Sequence, residues 1–393
     1  MKQAQLIFPK CVPKKFVGKF PEGRVNNING WFFTEEEVRR AAEKKQLLTM
    51  DIDMSGKGIC SLKCGHCFRR TTEFKLMKSS DFTDFETLLK RVDEAIKLGL
   101  KSVKLIGPGE PLEDPKLISL LTALHERGIT ILIFTKAYIL GDDERCKRIH
   151  GMDGQQLIAL LKKLDVSILL GATSFCEEKE DVIVGKTGFH SAREDAIVRL
   201  CETGFNDFIP GRATRLALCF APITPHNLDE IFDAFVWARE RNIQPVFAPT
   251  MVSGNALDSL GTLVLAREQI IELYVRINVW AITHGVYSLE DIQRFGISAY
   301  AGGHWCNQVA TGVFMRGDGK VLRCPGDDIT VLGDLKEKPL AEIWLDSENL
   351  REYSGKFNNG CPPKEGKNSA GARAFPEGFF EEVKARVLEY FNH

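Results

Sequence analysis

Three cysteines stand within eight residues, Cys60, Cys64 and Cys67, in the spacing C-x3-C-x2-C. Thiolates hold iron–sulfur clusters, and electron-transfer clusters usually take four of them. Three thiolates leave one iron of a [4Fe–4S] cluster open to a small molecule, so the spacing points to chemistry as well as electron transfer. Zinc is the alternative. Structural zinc sites are usually built from two separated ligand pairs, whereas here one triad stands alone with His66 inside it. A disulfide framework fits poorly with a long chain that otherwise reads as a reduced, intracellular enzyme. Of the remaining eight cysteines, Cys306, Cys324 and Cys361 gather toward the end of the chain. Cys11, Cys146, Cys176, Cys201 and Cys219 are scattered, as small buried hydrophobes usually are.

The triad needs a scaffold, and the chain around it alternates between two hydrophobic patterns. Thr34 with Glu37 is a capping box that opens a helix over 35–47, and 48–52 reads as a strand leading into the cysteine loop. Helices are expected over 82–98, 115–127, 154–164, 192–202 and 228–241. Strands are expected over 102–106, 129–134, 166–170, 215–221 and 245–248. These strands are short continuous apolar runs, the pattern of a parallel sheet buried on both faces. Glycines that close several helices support the boundaries. Six strands with intervening helices imply an α/β fold, doubly wound or barrel-like, whose ligands gather at the C-terminal strand ends. The triad follows the first strand, so it falls on that edge. A long helix is expected over 267–283. Beyond Gly302 the texture turns to short strands and turns, with a hairpin of 313–315 and 320–322 around Arg316-Gly317-Asp318-Gly319. A terminal amphipathic helix covers 379–391.

The chain has 393 residues, 44% hydrophobic and 27% charged, with a formal net charge of -1. That balance disfavours a broad nucleic-acid surface. A basic stretch near the start (Lys2, Lys10, Lys14, Lys15, Lys19, Arg24) reads as a solvated arm. No apolar run approaches the about 20 residues of a membrane span, and the start lacks the apolar core of a signal peptide, so a cytoplasmic protein is expected.

The triad on the first strand of a strand–helix repeat resembles the radical S-adenosylmethionine (SAM) superfamily. The resemblance implies a partial (β/α)6 barrel, with the open iron of a [4Fe–4S] cluster chelated by the amino and carboxylate groups of SAM. It implies reductive cleavage of SAM to a 5′-deoxyadenosyl radical that abstracts a substrate hydrogen atom. His66 holds the position where the family often has an aromatic residue near adenine. Gly107-Pro108-Gly109-Glu110-Pro111, after the second strand, resembles the glycine–glycine–glutamate segment that receives the methionine amino group. Glycines allow close approach and a carboxylate accepts from an ammonium; by itself the segment is a common turn. Ser174, after the fourth strand, stands where relatives place a hydroxyl for SAM, with a turn or helix cap as the alternative. Met251, after the sixth strand, stands where some members bring backbone to adenine, with core packing as the alternative. Thr135-Lys136 ends the third strand where relatives commonly carry Thr-Asn-Gly, and the lysine departs from that pattern.

Cys306, Gly319 and Cys324 follow a C-x12-G-x4-C pattern that resembles the SPASM/Twitch extension, with Cys361 as third ligand. A full SPASM domain would supply more cysteines, so one auxiliary cluster, of [4Fe–4S] type, in a small C-terminal α+β domain is the better fit, with zinc as the alternative. The division this implies is an N-terminal extension (1–48), the partial barrel (49–285), the cluster domain (300–374) and a C-terminal helix (375–393). The expected function is a radical SAM oxidoreductase acting on a small polar metabolite of sugar or aminocyclitol type. Peptide maturation by cross-linking or epimerisation is the second reading, and a non-catalytic iron–sulfur electron carrier the third. Cys176 and Cys219, near strand ends, are candidate hydrogen donors, with a plain buried thiol as the alternative. The implied partners are the substrate, small molecule or peptide, and a reductant such as flavodoxin or ferredoxin.

Overall fold

The computed structural model describes residues 8–9, 16, 18–54 and 60–392. Cys11, Lys2, Lys10, Lys14 and Lys15 lie outside the described residues. The first six strands are β1 (Thr49–Asp53), β2 (Ser102–Gly107), β3 (Thr130–Thr135), β4 (Val166–Ala172), β5 (Leu216–Ile223) and β6 (Gln244–Pro249). They lie side by side in chain order, each parallel to the next. A parallel pair needs a crossover, and right-handed crossovers by helices step the sheet in one direction. Helices Phe85–Lys97, Leu117–Glu126, Gly154–Lys163, Phe189–Glu202 and Leu228–Glu240 supply them. The expected elements differ from these only at their ends. The first helix, for example, stops at Lys44 because Lys45 turns left-handed (φ 53°) and donates its N–H to Ala41 and Ala42.

The cysteine-bearing C-terminal region extends the same sheet. β7 (Gly312–Met315) pairs parallel with β1, from Thr49↔Gly312 to Ile52↔Met315. β8 (Lys320–Leu322) and β9 (Val331–Asp334) then add antiparallel. The antiparallel β8 returns toward the start of β1, and the chain that follows it comes back to the triad loop, where Arg69 donates to the Pro325 carbonyl (3.3 Å) next to Cys324. The helices Asp143–His150 and Glu177–Val184 were not expected, because charged runs with one or two buried positions show no apolar stripe.

Strand parity sorts the two faces. Ile131, Ile133, Ile168, Leu170, Leu216, Leu218 and Phe247 face the helices, in the main core. Their neighbours Leu132, Leu169, Ala217 and Val246 point to the other face, where they pack with Ile28, Trp31 and Phe32 from the N-terminal segment. That segment is held by Asn29 N–H donating to the Thr214 carbonyl (2.9 Å). At Gly30 (φ 87°) a Cβ would stand 2.9 Å from the Thr130 methyl, so only glycine lets the chain pass there. Trp31 meets Phe134 and Tyr300 edge-on, each at 5.3 Å between centroids. The segment before the first strand thus fills the inner face of the sheet. Replacing Trp31 by alanine is expected to cost about 3–5 kcal/mol, read as a lower urea midpoint; an unchanged midpoint would show that this ring is not part of the core.

Candidate active site

Cys60, Cys64 and Cys67 are free, partly buried thiols on the loop after β1. They line a cavity of about 180 Å³ whose other walls include His66, Gly109, Glu110, Lys136 and Cys219. Four elements hold the loop. Glu113, beyond β2, accepts from Ser61 N–H (3.1 Å) and Ser61 Oγ (2.9 Å), and is itself held by Arg145 (3.2 Å) and the Tyr138 hydroxyl. Lys63 N–H donates to the Val184 carbonyl at the end of helix Glu177–Val184 (2.8 Å). Beyond β6, Asn255 N–H donates to the Cys67 carbonyl (3.0 Å) and Ser253 Oγ to that of Phe68 (3.2 Å). Arg69 forms a two-pronged bond to Asp53 of β1 (2.6 and 2.8 Å) and reaches the Pro325 carbonyl (3.3 Å), next to Cys324.

Glu113 was missed by sequence reasoning; its only signal was a second carboxylate three residues after Glu110. Glu113→Ala removes three anchors of a buried carboxylate and strands Arg145. It is expected to destabilise the loop by about 2–3 kcal/mol and to lower iron bound by the triad, with Glu113→Gln between it and the native chain. Equal iron content in all three would remove Glu113 from the site.

Glu110 is buried and takes bonds from Leu112 N–H (3.2 Å), Lys136 N–H (2.8 Å) and the Thr135 hydroxyl. It therefore also ties the end of β2 to the end of β3. Burial pushes its carboxyl up to about 7, against these hydrogen bonds. Gly107 is needed by the turn: at φ 129°, a Cβ would stand 3.0 Å from Gly109 N. Its carbonyl already accepts from Met54 N–H (2.8 Å), so Gly109 and Glu110 line the cavity while Gly107 supports them. His66 is pushed down to about 3 by burial and then by the Lys136 cation, so its ring is neutral at physiological pH.

Ser174 does not line this cavity. It is fully buried, and its hydroxyl donates to Glu230 (2.6 Å) and accepts from Cys176 N–H (2.9 Å). Cys176 is buried beside it, as the first residue before helix Glu177–Val184, and also lies off the cavity. Cys219 does line it. Burial raises its thiol to about 11, partly offset by the Lys136 and Lys364 cations. Met251 packs against the C-terminal loop, where a Cβ on Gly326 would come within 2.4 Å of its sulfur, and lines the second cavity instead of the first.

Cys306, Cys324 and Cys361 converge on that second cavity, of about 110 Å³, with Met251, Tyr300 and Lys104. Behind them lies a buried ion pair, Lys104–Asp51 (3.0 Å), with Lys104 also donating to Gln308. The two cavities share Phe68, Ile106 and Phe134 in their walls, so the cysteine sets lie in adjacent cavities. Burial pushes the Cys60 and Cys306 thiols up to about 12. Such thiols become ligands when a metal replaces the proton. Among the described residues no three His, Cys, Asp or Glu side chains close around a single metal ion. Two soft-donor sets, each spread around a cavity, fit polynuclear iron–sulfur clusters.

The model of the radical SAM superfamily matches residues 54–235, and that of the SPASM iron–sulfur cluster-binding domain matches 306–367. No curated protein matches. Among solved structures, Streptococcus suis SuiB bound to the precursor peptide SuiA is 16% identical, with 88% of this chain and 79% of that chain covered at a TM-score of 0.51. SuiB bound to S-adenosylmethionine is 16% identical, with 87% and 80% covered and a TM-score of 0.49. BtrN in complex with AdoMet and 2-DOIA is 11% identical, with 79% and 87% covered and a TM-score of 0.35.

Proposed function

We propose, for a chain that belongs to the radical SAM superfamily and carries a C-terminal SPASM iron–sulfur domain, an oxidoreductase acting on a small polar metabolite of sugar or aminocyclitol type. Its cofactors are SAM and [4Fe–4S] clusters. The observation that carries the reading is the adjacency of the two cysteine-lined cavities through Phe68, Ile106 and Phe134. A molecule held there has the triad on one side and Cys306, Cys324 and Cys361 on the other.

Cys60, Cys64 and Cys67 would hold the cluster that binds SAM, which when reduced supplies a 5′-deoxyadenosyl radical. Glu110 and Gly109 would take the SAM ammonium, and His66, neutral and half-buried, would flank the adenine. Met251 would act through the C-terminal loop. Cys306, Cys324 and Cys361 would hold one auxiliary cluster. That auxiliary cluster, when bound, would supply the one-electron acceptor that turns hydrogen abstraction into a net dehydrogenation. Trp31 and Phe32 fill the inner face of the sheet, which leaves room for a compact substrate. Flavodoxin or ferredoxin is the expected reductant. No described helix is long and apolar enough to cross a membrane, and a cytoplasmic setting fits a reduced cluster enzyme.

The second reading is peptide maturation, with the SuiB–SuiA complex, which shares the fold, as its support. The test is anaerobic reconstitution, dithionite and SAM: 5′-deoxyadenosine is expected, and its absence overturns the reading. Stimulation of its release by aminocyclitols or sugars, and not by peptides, separates the two substrate classes.

A further inference from the structure

Two otherwise apolar strands carry a charge pair at their centre. Asp51 of β1 and Lys104 of β2 are direct partners in the strand register, and their side chains pair at 3.0 Å. Their chain neighbours Met50, Ile52, Val103 and Leu105 turn to the helices, in the main core. Asp51 is 2% exposed and Lys104 1%. Lys104 also donates to the side-chain carbonyl of Gln308, two residues after Cys306. Gln308 is 5% exposed. A Cβ on Gly312 would stand 3.1 Å from Gln308 Nε2, so the glycine leaves room for the amide.

This arrangement leaves donors over. A lysine ammonium has three N–H bonds and a glutamine amide two. Among the described residues Lys104 has two partners, Asp51 and Gln308, and Gln308 Nε2 has none. A buried amide without an acceptor is costly. A buried ion pair gains little over apolar residues of the same size. All three side chains line the cavity on which Cys306, Cys324 and Cys361 converge, and none of them lines the triad cavity. On β2 it is Ile106, two residues beyond Lys104, that reaches both. The spare N–H donors therefore share a wall with the C-terminal thiols and not with the triad.

We propose that Lys104 Nζ and Gln308 Nε2 donate hydrogen bonds to the sulfurs of the auxiliary cluster and thereby raise its reduction potential. This rests on the reading that Cys306, Cys324 and Cys361 hold that cluster. Hydrogen bonds to the sulfurs and net charge are among the factors that set iron–sulfur potentials. Reduction adds one electron to the cluster and negative charge to its sulfurs, and N–H donors favour that more charged state. Lys104 and Gln308 are positioning residues: they act through the cluster and do not touch substrate.

The test is a redox titration followed by electron paramagnetic resonance. It uses the full chain carrying Cys60→Ala, Cys64→Ala and Cys67→Ala, so that a single cluster reports. At unchanged iron and sulfide, Gln308→Leu should lower the midpoint by at least about 59 mV, a tenfold change for a one-electron couple. Lys104→Met combined with Asp51→Leu removes both charges together and should lower it at least as far. Asp51→Asn leaves the ammonium without its counter-charge and should raise it. Electron–nuclear double resonance should find fewer exchangeable protons coupled to the reduced cluster in the first two variants. An unmoved or raised midpoint in Gln308→Leu at full iron content overturns the proposal. So does an unmoved midpoint in the paired Lys104→Met, Asp51→Leu chain. If that paired chain takes up no iron, Gln308→Leu decides alone. If the parent chain without its triad holds no iron, the auxiliary-cluster reading fails. If it holds a cluster whose midpoint ignores Gln308 and Lys104, only the present proposal fails.

Discussion

Cys60→Ala, Cys64→Ala and Cys67→Ala each abolish 5′-deoxyadenosine release, while about half of the iron stays on the chain. The effect is expected to be total because all three thiols of the triad are needed to leave a single open iron, and the structure offers no nearby substitute. His66 is half-buried and neutral, and Cys219 sits on β5 across the cavity. The loop should keep its shape in these variants, since its anchors are Glu113, Val184, Ser253, Asn255 and the Arg69–Asp53 pair rather than the thiols. Circular dichroism should therefore match the native chain. Iron and sulfide counting with electron paramagnetic resonance of the reduced protein checks the outcome. Residual SAM cleavage in any one variant would show that its cysteine is not a cluster ligand.

The C-terminal set separates binding from turnover. Cys306→Ala, Cys324→Ala or Cys361→Ala should lose roughly half of the iron, given two four-iron clusters. They should keep uncoupled 5′-deoxyadenosine release and form no product. The reasoning is geometric. These thiols line a different cavity from the triad, yet share Phe68, Ile106 and Phe134 with it, so substrate can be activated on one side and left unable to surrender its second electron on the other. Some weakening of the first site is also expected. Arg69 bridges Asp53 to the Pro325 carbonyl, and Met251 presses on Gly326, so loosening the Cys324 loop is felt beside Cys67. Full iron content in these variants contradicts an auxiliary cluster, and product formation contradicts its role as electron acceptor.

Much of the scaffold was legible along the chain. Continuous apolar runs punctuated by glycine C-caps predict β1 to β6 and their crossover helices, because a strand buried on both faces needs apolar residues at every position. The hairpin around Arg316–Gly319 was legible from its turn chemistry. The strand β9 was not: Val331 is exposed and Leu332, Gly333 and Asp334 only partly buried, so no run or alternation marks it. The parallel pairing of β7 with β1 spans more than two hundred residues and has no local signature.

The same divide runs through the site. Local spacing was enough for the C-x3-C-x2-C loop, the glutamate-bearing turn after β2 and the late cysteine pattern, because chelation by neighbouring residues and tight turns are short-range demands. Which other polar groups reach the cavity depended on partners far away in sequence. Ser174 is withdrawn from it by Glu230, on a helix that the chain enters only after β5. Cys219 enters it because it shares strand parity with Ala217, on the inner face, while Leu216 and Leu218 turn to the helices. A strand that is apolar at every position carries no record of which parity faces inward. The packing of Trp31 and Phe32 on one face, and of the crossover helices on the other, makes that choice.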